Sequence, residues 1–275
     1  MDTASQRVPA TAVTKQWKSV HRRSLATLIS LETEAVVELR SEVRRSIADV
    51  SDELAQVGND RARTDGMRIV RNAASALQHT FAATLYRIKT KARVAALEQL
   101  DQELATLRED LALEGHEYEV VDPELSTHME EDHAEAELAA ASFRAAWTQA
   151  IVSIILSHDV TDVSVAILAV PKLMDKRLRR IAATEVSRSY NRELSLGHEG
   201  LGSKNKETVW APLVWKFWDA TLDAKICAIC RKHHGERVLV GMPFSDGDEP
   251  GDVHPNCRCI SSIVVVPIPY SRIEK

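Results

Sequence analysis

The sequence predicts an α+β protein that is mostly α: a long N-terminal helical region followed by a small β-containing zinc module. Three observations carry that expectation. Ala, Leu, Glu and Arg dominate the first half, and apolar residues recur there at gaps of three and four. From Lys206 onward the texture turns β-branched and aromatic, punctuated by glycine. All four cysteines of the 275-residue chain fall between Cys227 and Cys259.

Residues 1–20 read as a loose arm. Val36, Leu39, Val43, Ile47, Val50 and Leu54 then share one helical face. Gly58, Asn59 and Asp60 break the pattern, and a second helix is expected from near Asp65 to about Leu111. Its end carries Leu97, Leu100, Leu104, Leu107 and Leu111. That seam is too short for an independent coiled coil, so a helical hairpin burying its own seam is the preferred reading. Residues 101–138 hold fourteen Asp or Glu against one Arg, interrupted by Gly115 and Pro123, which predicts an acidic linker. It is either a solvated face or a docking surface for a basic partner.

A third helix follows, with Phe143, Trp147, Ile151, Ile154 and Ile155 on one stripe. Asp159 or Thr161 is the expected cap of a short helix ending before Pro171. Residues 172–192 hold seven Lys or Arg against two Asp or Glu, predicting a basic helix that stops near Gly197. Such a helix suits phosphate contacts, although Tyr190 alone offers a stacking platform. Val209, Trp210, Val214, Trp215, Phe217 and Trp218 open the last module, and residues 236–240 and 260–266 read as short strands.

The net charge of −5 excludes a global basic field for nucleic acid or acidic lipid. The start of the chain lacks a secretory pattern, and no apolar run approaches the roughly 18–20 residues of a membrane span. A soluble protein made in a reducing compartment is expected, where clustered cysteines bind metal more often than they form disulfides.

The chemistry concentrates in Cys227-x-x-Cys230 and, after a Gly- and Asp-rich loop, His254-Pro-Asn-Cys257-Arg-Cys259. A C-x-x-C knuckle presents two thiolates to one ion, and a second pair about 25 residues on closes a tetrahedron. Five candidates compete for four places. Cys227, Cys230, His254 and Cys257 are favoured, with Cys259 the alternative fourth ligand and His233 and His234 weaker ones. A closed structural Zn2+ site argues against catalysis, which needs an open position. Asp219, Asp223 and His233 are the acid or base candidates should the site be open. Arg258, between two candidate ligands, is either a solvent-facing arginine or a buried one that calls for a carboxylate partner, with Asp223 and Glu185 the candidates.

These residues carry a resemblance. Lys216, Phe217 and Trp218, then Asp223, the Cys227–Cys230 knuckle, Gly235 and the His254–Cys259 return resemble the phage Mu F-like family of minor head, or head morphogenesis, proteins. Upstream, the helix through Thr184 and Glu185, followed by Tyr190 and Asn191, is similar to that family's Ala-x-Thr-Glu helix. The resemblance spans roughly residues 139–267, and Ala183 departs from it where the family often carries arginine. It implies that 139–275 is a head morphogenesis domain whose zinc module covers about 206–267, while 1–138, outside the resemblance, is a helical region whose amphipathic faces, leucine seam and acidic run suit partner docking. It also implies a virion protein of the head interior, made in the host cytoplasm and bound to the portal protein and procapsid. Self-association through the N-terminal helices and a weak DNA contact through the basic helix are further expectations, with no membrane partner. A zinc-dependent hydrolase or nuclease carried in the virion is the alternative.

Overall fold

Gly58 adopts φ 72° and ψ 163°, and it breaks a 98-residue helical run, α1 (Thr14–Leu111), into two arms. A side chain is rarely accommodated at that φ, which is why glycine marks the break. Ion pairs give the direction of the arms. Lys91 pairs with Glu34, and Arg87 with Glu38 at 2.5 Å, so one index falls as the other rises. The arms are therefore antiparallel, the hairpin expected from the sequence. The computed structural model describes residues 14–111, 125–157, 162–204, 214–220 and 226–265. The remaining elements are α2 (Leu125–Leu156), α3 (Val163–Ala166), a 3-10 turn (Ile167–Ala169), α4 (Val170–Lys204), β1 (Val214–Asp219), α5 (Ala228–His233), β2 (Arg237–Leu239) and β3 (Ile260–Val265).

The chain forms two compact units, both discontinuous in sequence. One comprises Ser30–Lys91 and Pro123–Val186, and the other Met1–Ile29, Ala92–Asp122 and Ser187–Lys275. The position 138/139 falls inside α2.

In the first unit, all six residues of the expected N-terminal face are buried, from Val36 to Leu54. Phe143, Trp147, Ile151 and Ile155 of α2 are fully buried, and Phe143 stacks on Phe81 with centroids 4.5 Å apart. The middle of the acidic stretch, residues 112–124 with Gly115 and Pro123 where the linker is expected, lies outside the described residues, while its two ends are helical, in α1 up to Leu111 and in α2 from Leu125. Helix formation there turns two of its carboxylates inward. Asp132 and Glu135 flank the buried Nζ of Lys89 at 3.1 and 2.5 Å, with Glu185 of α4 at 3.1 Å. Burial pulls the Lys89 pKa down, but Glu185, Glu135 and Asp132 outweigh it and hold the pKa above the usual lysine value. The stretch Met129–Leu156 is long and apolar enough to cross a membrane by length and composition, contrary to the sequence expectation. Core helices pass the same test, and here the stripe from Ala136 to Ile155 is buried within the unit.

The short helix α3 is capped by Asp162, whose Oδ1 accepts from the Val165 amide at 3.3 Å. Asp159 and Thr161 lie outside the described residues. Pro171 does not end a helix but stands in the first turn of α4. No intrahelical donor is lost there, because a first-turn N–H has no intrahelical acceptor. Lys172, Lys176, Arg177, Arg179 and Arg180 are exposed on this helix.

In the second unit, α4 runs through Gly197 instead of stopping at it. The reason is packing: a Cβ at Gly197 would stand 2.3 Å from Leu100 Cδ2. Leu100 and Leu104 of the leucine seam are buried, while the side chains of Leu107 and Leu111 lie outside the described residues. Arg93 pairs with Glu193 at 2.6 Å, both buried. The three strands form an antiparallel sheet in the order β2-β1-β3, with Trp215 opposite Leu239 and Val264. The expected strand positions agree with this sheet, and Val209 and Trp210 lie outside the described residues.

Candidate metal centre

Beneath the sheet lies a small core of Trp218, Ala220, Cys230, Phe244, Cys257 and Cys259. Two turns aim the donors into it. In the first, Cys227 caps α5 and its Sγ accepts from the Cys230 amide at 3.2 Å. In the second, the Cys257 amide donates to the His254 carbonyl at 3.1 Å. Pro255 occupies the second position of this turn, and Asn256 the third, at φ 62°. Proline followed by a left-handed residue is the signature of a type II turn, and Asn is the side-chain-bearing residue best suited to that φ.

The turns bring together all five predicted donors. Cys227, Cys230 and His254 form one group and Cys230, Cys257 and Cys259 another, the donor atoms of each lying within 4.8 Å of one another. Cys230 Sγ belongs to both. It lies 3.1 Å from His254 Nε2 and 3.8 Å from Cys257 Sγ. Two sulfurs on a tetrahedral ion with bonds of about 2.3 Å stand about 3.8 Å apart, so the Cys230–Cys257 edge already has metal-site length. These residues can hold a metal ion. The ionisation pattern agrees with that chemistry. Hydrogen bonds from the Cys230 and Cys259 thiols push Cys257 down to about 2, while Cys257 in turn drives Cys230 upward. A divalent ion beside these sulfurs would favour the thiolate form of all of them.

The scaffold around the donors is specific. Asn191 of α4 donates to the Cys259 carbonyl at 3.0 Å and accepts from the Ser261 amide at 3.3 Å. Gly251, at φ 92°, sits so close to α4 that a Cβ would approach the Ser187 carbonyl to 2.9 Å. Lys216, buried in the sheet, reaches Glu249 at 2.6 Å and lies over the Phe244 ring.

The other predicted positions have different fates. Thr184 bonds back to the Arg180 carbonyl at 2.8 Å, and the partner the structure gives Glu185 is Lys89. Arg258 is half-buried, and Asp223 lies outside the described residues. His234 Nδ1 accepts from the Ala220 amide and lies 3.4 Å from Asp219, away from the thiol groups. His233 belongs to a separate cluster with Asp246 and Asp248.

Sequence reading missed one further constellation. Ser261 Oγ lies 3.3 Å from His198 Nδ1, and His198 Nε2 lies 3.2 Å from Glu103. The order Ser–His–Glu is that of a hydrolase triad. Ser261 and His198 are fully buried and Glu103 nearly so, which leaves the hydroxyl no approach for a substrate. The residues instead pin β3 and α4 to α1. No family model matches the chain, and no curated protein or solved structure matches it.

Proposed function

We propose that this chain is a minor head protein of a tailed phage or prophage that acts in procapsid assembly or DNA delivery near the portal, with Zn2+ as a structural ion. The observation that carries the reading is the convergence of the Cys227–Cys230 knuckle and the His254–Cys259 return on one buried core. Three further residues of the resemblance to the Mu F-like family meet there: Trp218 packs with the cysteines, Lys216 lies over Phe244 beside them, and Asn191 holds the Cys259 carbonyl. Cys227, Cys230, His254 and Cys257 are the proposed ligands, with Cys259 the alternative fourth. Zinc here supplies folding free energy to a module whose own apolar core is small.

The proposed partners are the portal protein and procapsid interior, reached through the helical surfaces. Self-association of those helices is a further part of the proposal, as is a weak, salt-sensitive DNA contact through the exposed cations of α4. The protein would then be found in the host cytoplasm during assembly and inside the head of the virion.

Two measurements test the reading. Elemental analysis of the full chain, dialysed to remove ions held at open sites, should give one zinc per molecule, retained in Cys259→Ser and lost in Cys230→Ser; a wild-type protein without zinc sinks the metal assignment. Mass spectrometry of purified virions should find the chain at few copies beside the portal. Its absence from virions, together with metal-dependent cleavage of nucleic acid, would replace the assembly role with the hydrolase alternative.

A further inference from the structure

The geometry points to a second metal site in the same compact unit: His233, Asp246 and Asp248 form an open binding site for a divalent transition-metal ion, separate from the cysteine-rich centre. His233 is fully buried and stacks on Trp218 with centroids 4.5 Å apart. Its Nδ1 faces Glu236 Oε2 at 2.5 Å. That contact places the proton on Nδ1 and leaves the lone pair on Nε2. The Nε2 atom is buried and makes no hydrogen bond. It is aimed at two carboxylates, 3.4 Å from Asp246 Oδ2 and 3.8 Å from Asp248 Oδ2.

This is the carboxylate–histidine–metal arrangement, in which an outer carboxylate fixes the tautomer and the ring's direction. Glu236 has a second task. Its Oε1 accepts from the Ser245 amide at 2.6 Å, so one carboxylate orients both the imidazole and the loop that carries Asp246 and Asp248. The three donor atoms lie within 4.8 Å of one another. Donors on a tetrahedral ion with arms of about 2.1 Å stand about 3.4 Å apart, so little closure is required.

The donor set selects the ion. One imidazole with two carboxylates suits Zn2+ or Mn2+, whereas Ca2+ and Mg2+ favour oxygen throughout. Three protein ligands also leave a coordination position for water, and the Asp246 and Asp248 side chains are 44% and 41% exposed. Lys232 Nζ holds Asp246 at 2.6 Å but is itself 63% exposed, so an arriving cation displaces a weak surface ion pair. The site stands independently of the proposed phage role.

The test uses full-length protein with its cysteine-site metal retained. Mn2+ is titrated in and the unbound ion is read by electron paramagnetic resonance, because thiolate-rich sites disfavour Mn2+. One Mn2+ per chain is expected. Asp246→Asn combined with Asp248→Asn, two changes on an exposed loop, should abolish it. Glu236→Gln should weaken it about tenfold or more, and Lys232→Ala should leave it intact or tighter. His233→Gln should also abolish binding, with circular dichroism confirming the fold. Failure of wild-type protein to bind Mn2+ up to millimolar concentration, or binding that survives the double Asp variant, overturns the proposal and leaves His233 as a buried partner of surface carboxylates.

Discussion

Lys89 shows how much one side chain can decide. Its ammonium is sealed from water among Asp132, Glu135 and Glu185. Three carboxylates around one cation leave net negative charge, so removing the cation is costlier than breaking a simple pair. Lys89→Met should destabilise the protein by about 3–5 kcal/mol, the usual cost of an orphaned buried charge. Urea denaturation followed by circular dichroism measures it, and a loss below about 1 kcal/mol would mean that the carboxylates find water or protons at little cost. The raised pKa fixes the sign of the alkaline response. The stabilisation is fully present below the unfolded lysine value of 10.5 and is lost as pH climbs through the higher folded value. None of this was legible in the sequence, where Lys89 is one cation among many and the acidic run reads as solvated. The meeting of the five candidate donors was legible, because ligand spacing within a turn is a local property. The separate, buried place of His233 was not, because it depends on Glu236 and on a loop that spacing alone does not place.

Among the elements, the amphipathic faces and the break at Gly58 were read correctly, and the punctuation at Pro171 and Gly197 was not. The faces repeat with the helix period, so each turn confirms the last. Gly197 and Pro171 are single residues with two meanings each. Proline suits a first helical turn as well as a stop, and glycine serves close approach as well as termination. Contact with Leu100, almost a hundred residues away, decided the second case. A methyl group at Gly197 must push the Leu100 side chain aside. Gly197→Ala should therefore cost about 1–3 kcal/mol despite the better helix propensity of alanine. Thermal denaturation reads the sign directly: a stabilised variant would show that this helix pair repacks freely.

For the whole molecule, the proposed metal should act on one compact unit and not on the other. Chelation should raise amide hydrogen exchange in β1, β3 and the 187–204 part of α4, which Asn191 joins to the cysteine segment. Exchange in the hairpin arms between residues 30 and 91 should change far less, since their buried faces meet within the other unit. Uniform loosening would mean that the chain unfolds as one cooperative body.

The discontinuity of the units also sets an order of events during synthesis. The unit built from Ser30–Lys91 and Pro123–Val186 has its last segment once Val186 has left the ribosome. The other needs the segment from Ser187 onward, so its first helical segment, residues 14–29 of α1, must wait while most of the chain is made. Closing so long a loop is slow. The early helix and the segment 92–122 thus spend the interval with apolar seams uncovered, and Leu100 among them lacks Gly197. A nascent chain of this design is exposed to chaperone capture or aggregation until its last quarter emerges. On the proposed reading of the cysteine-rich centre, metal supply at that moment, more than the strength of any helix, sets the yield of finished molecules.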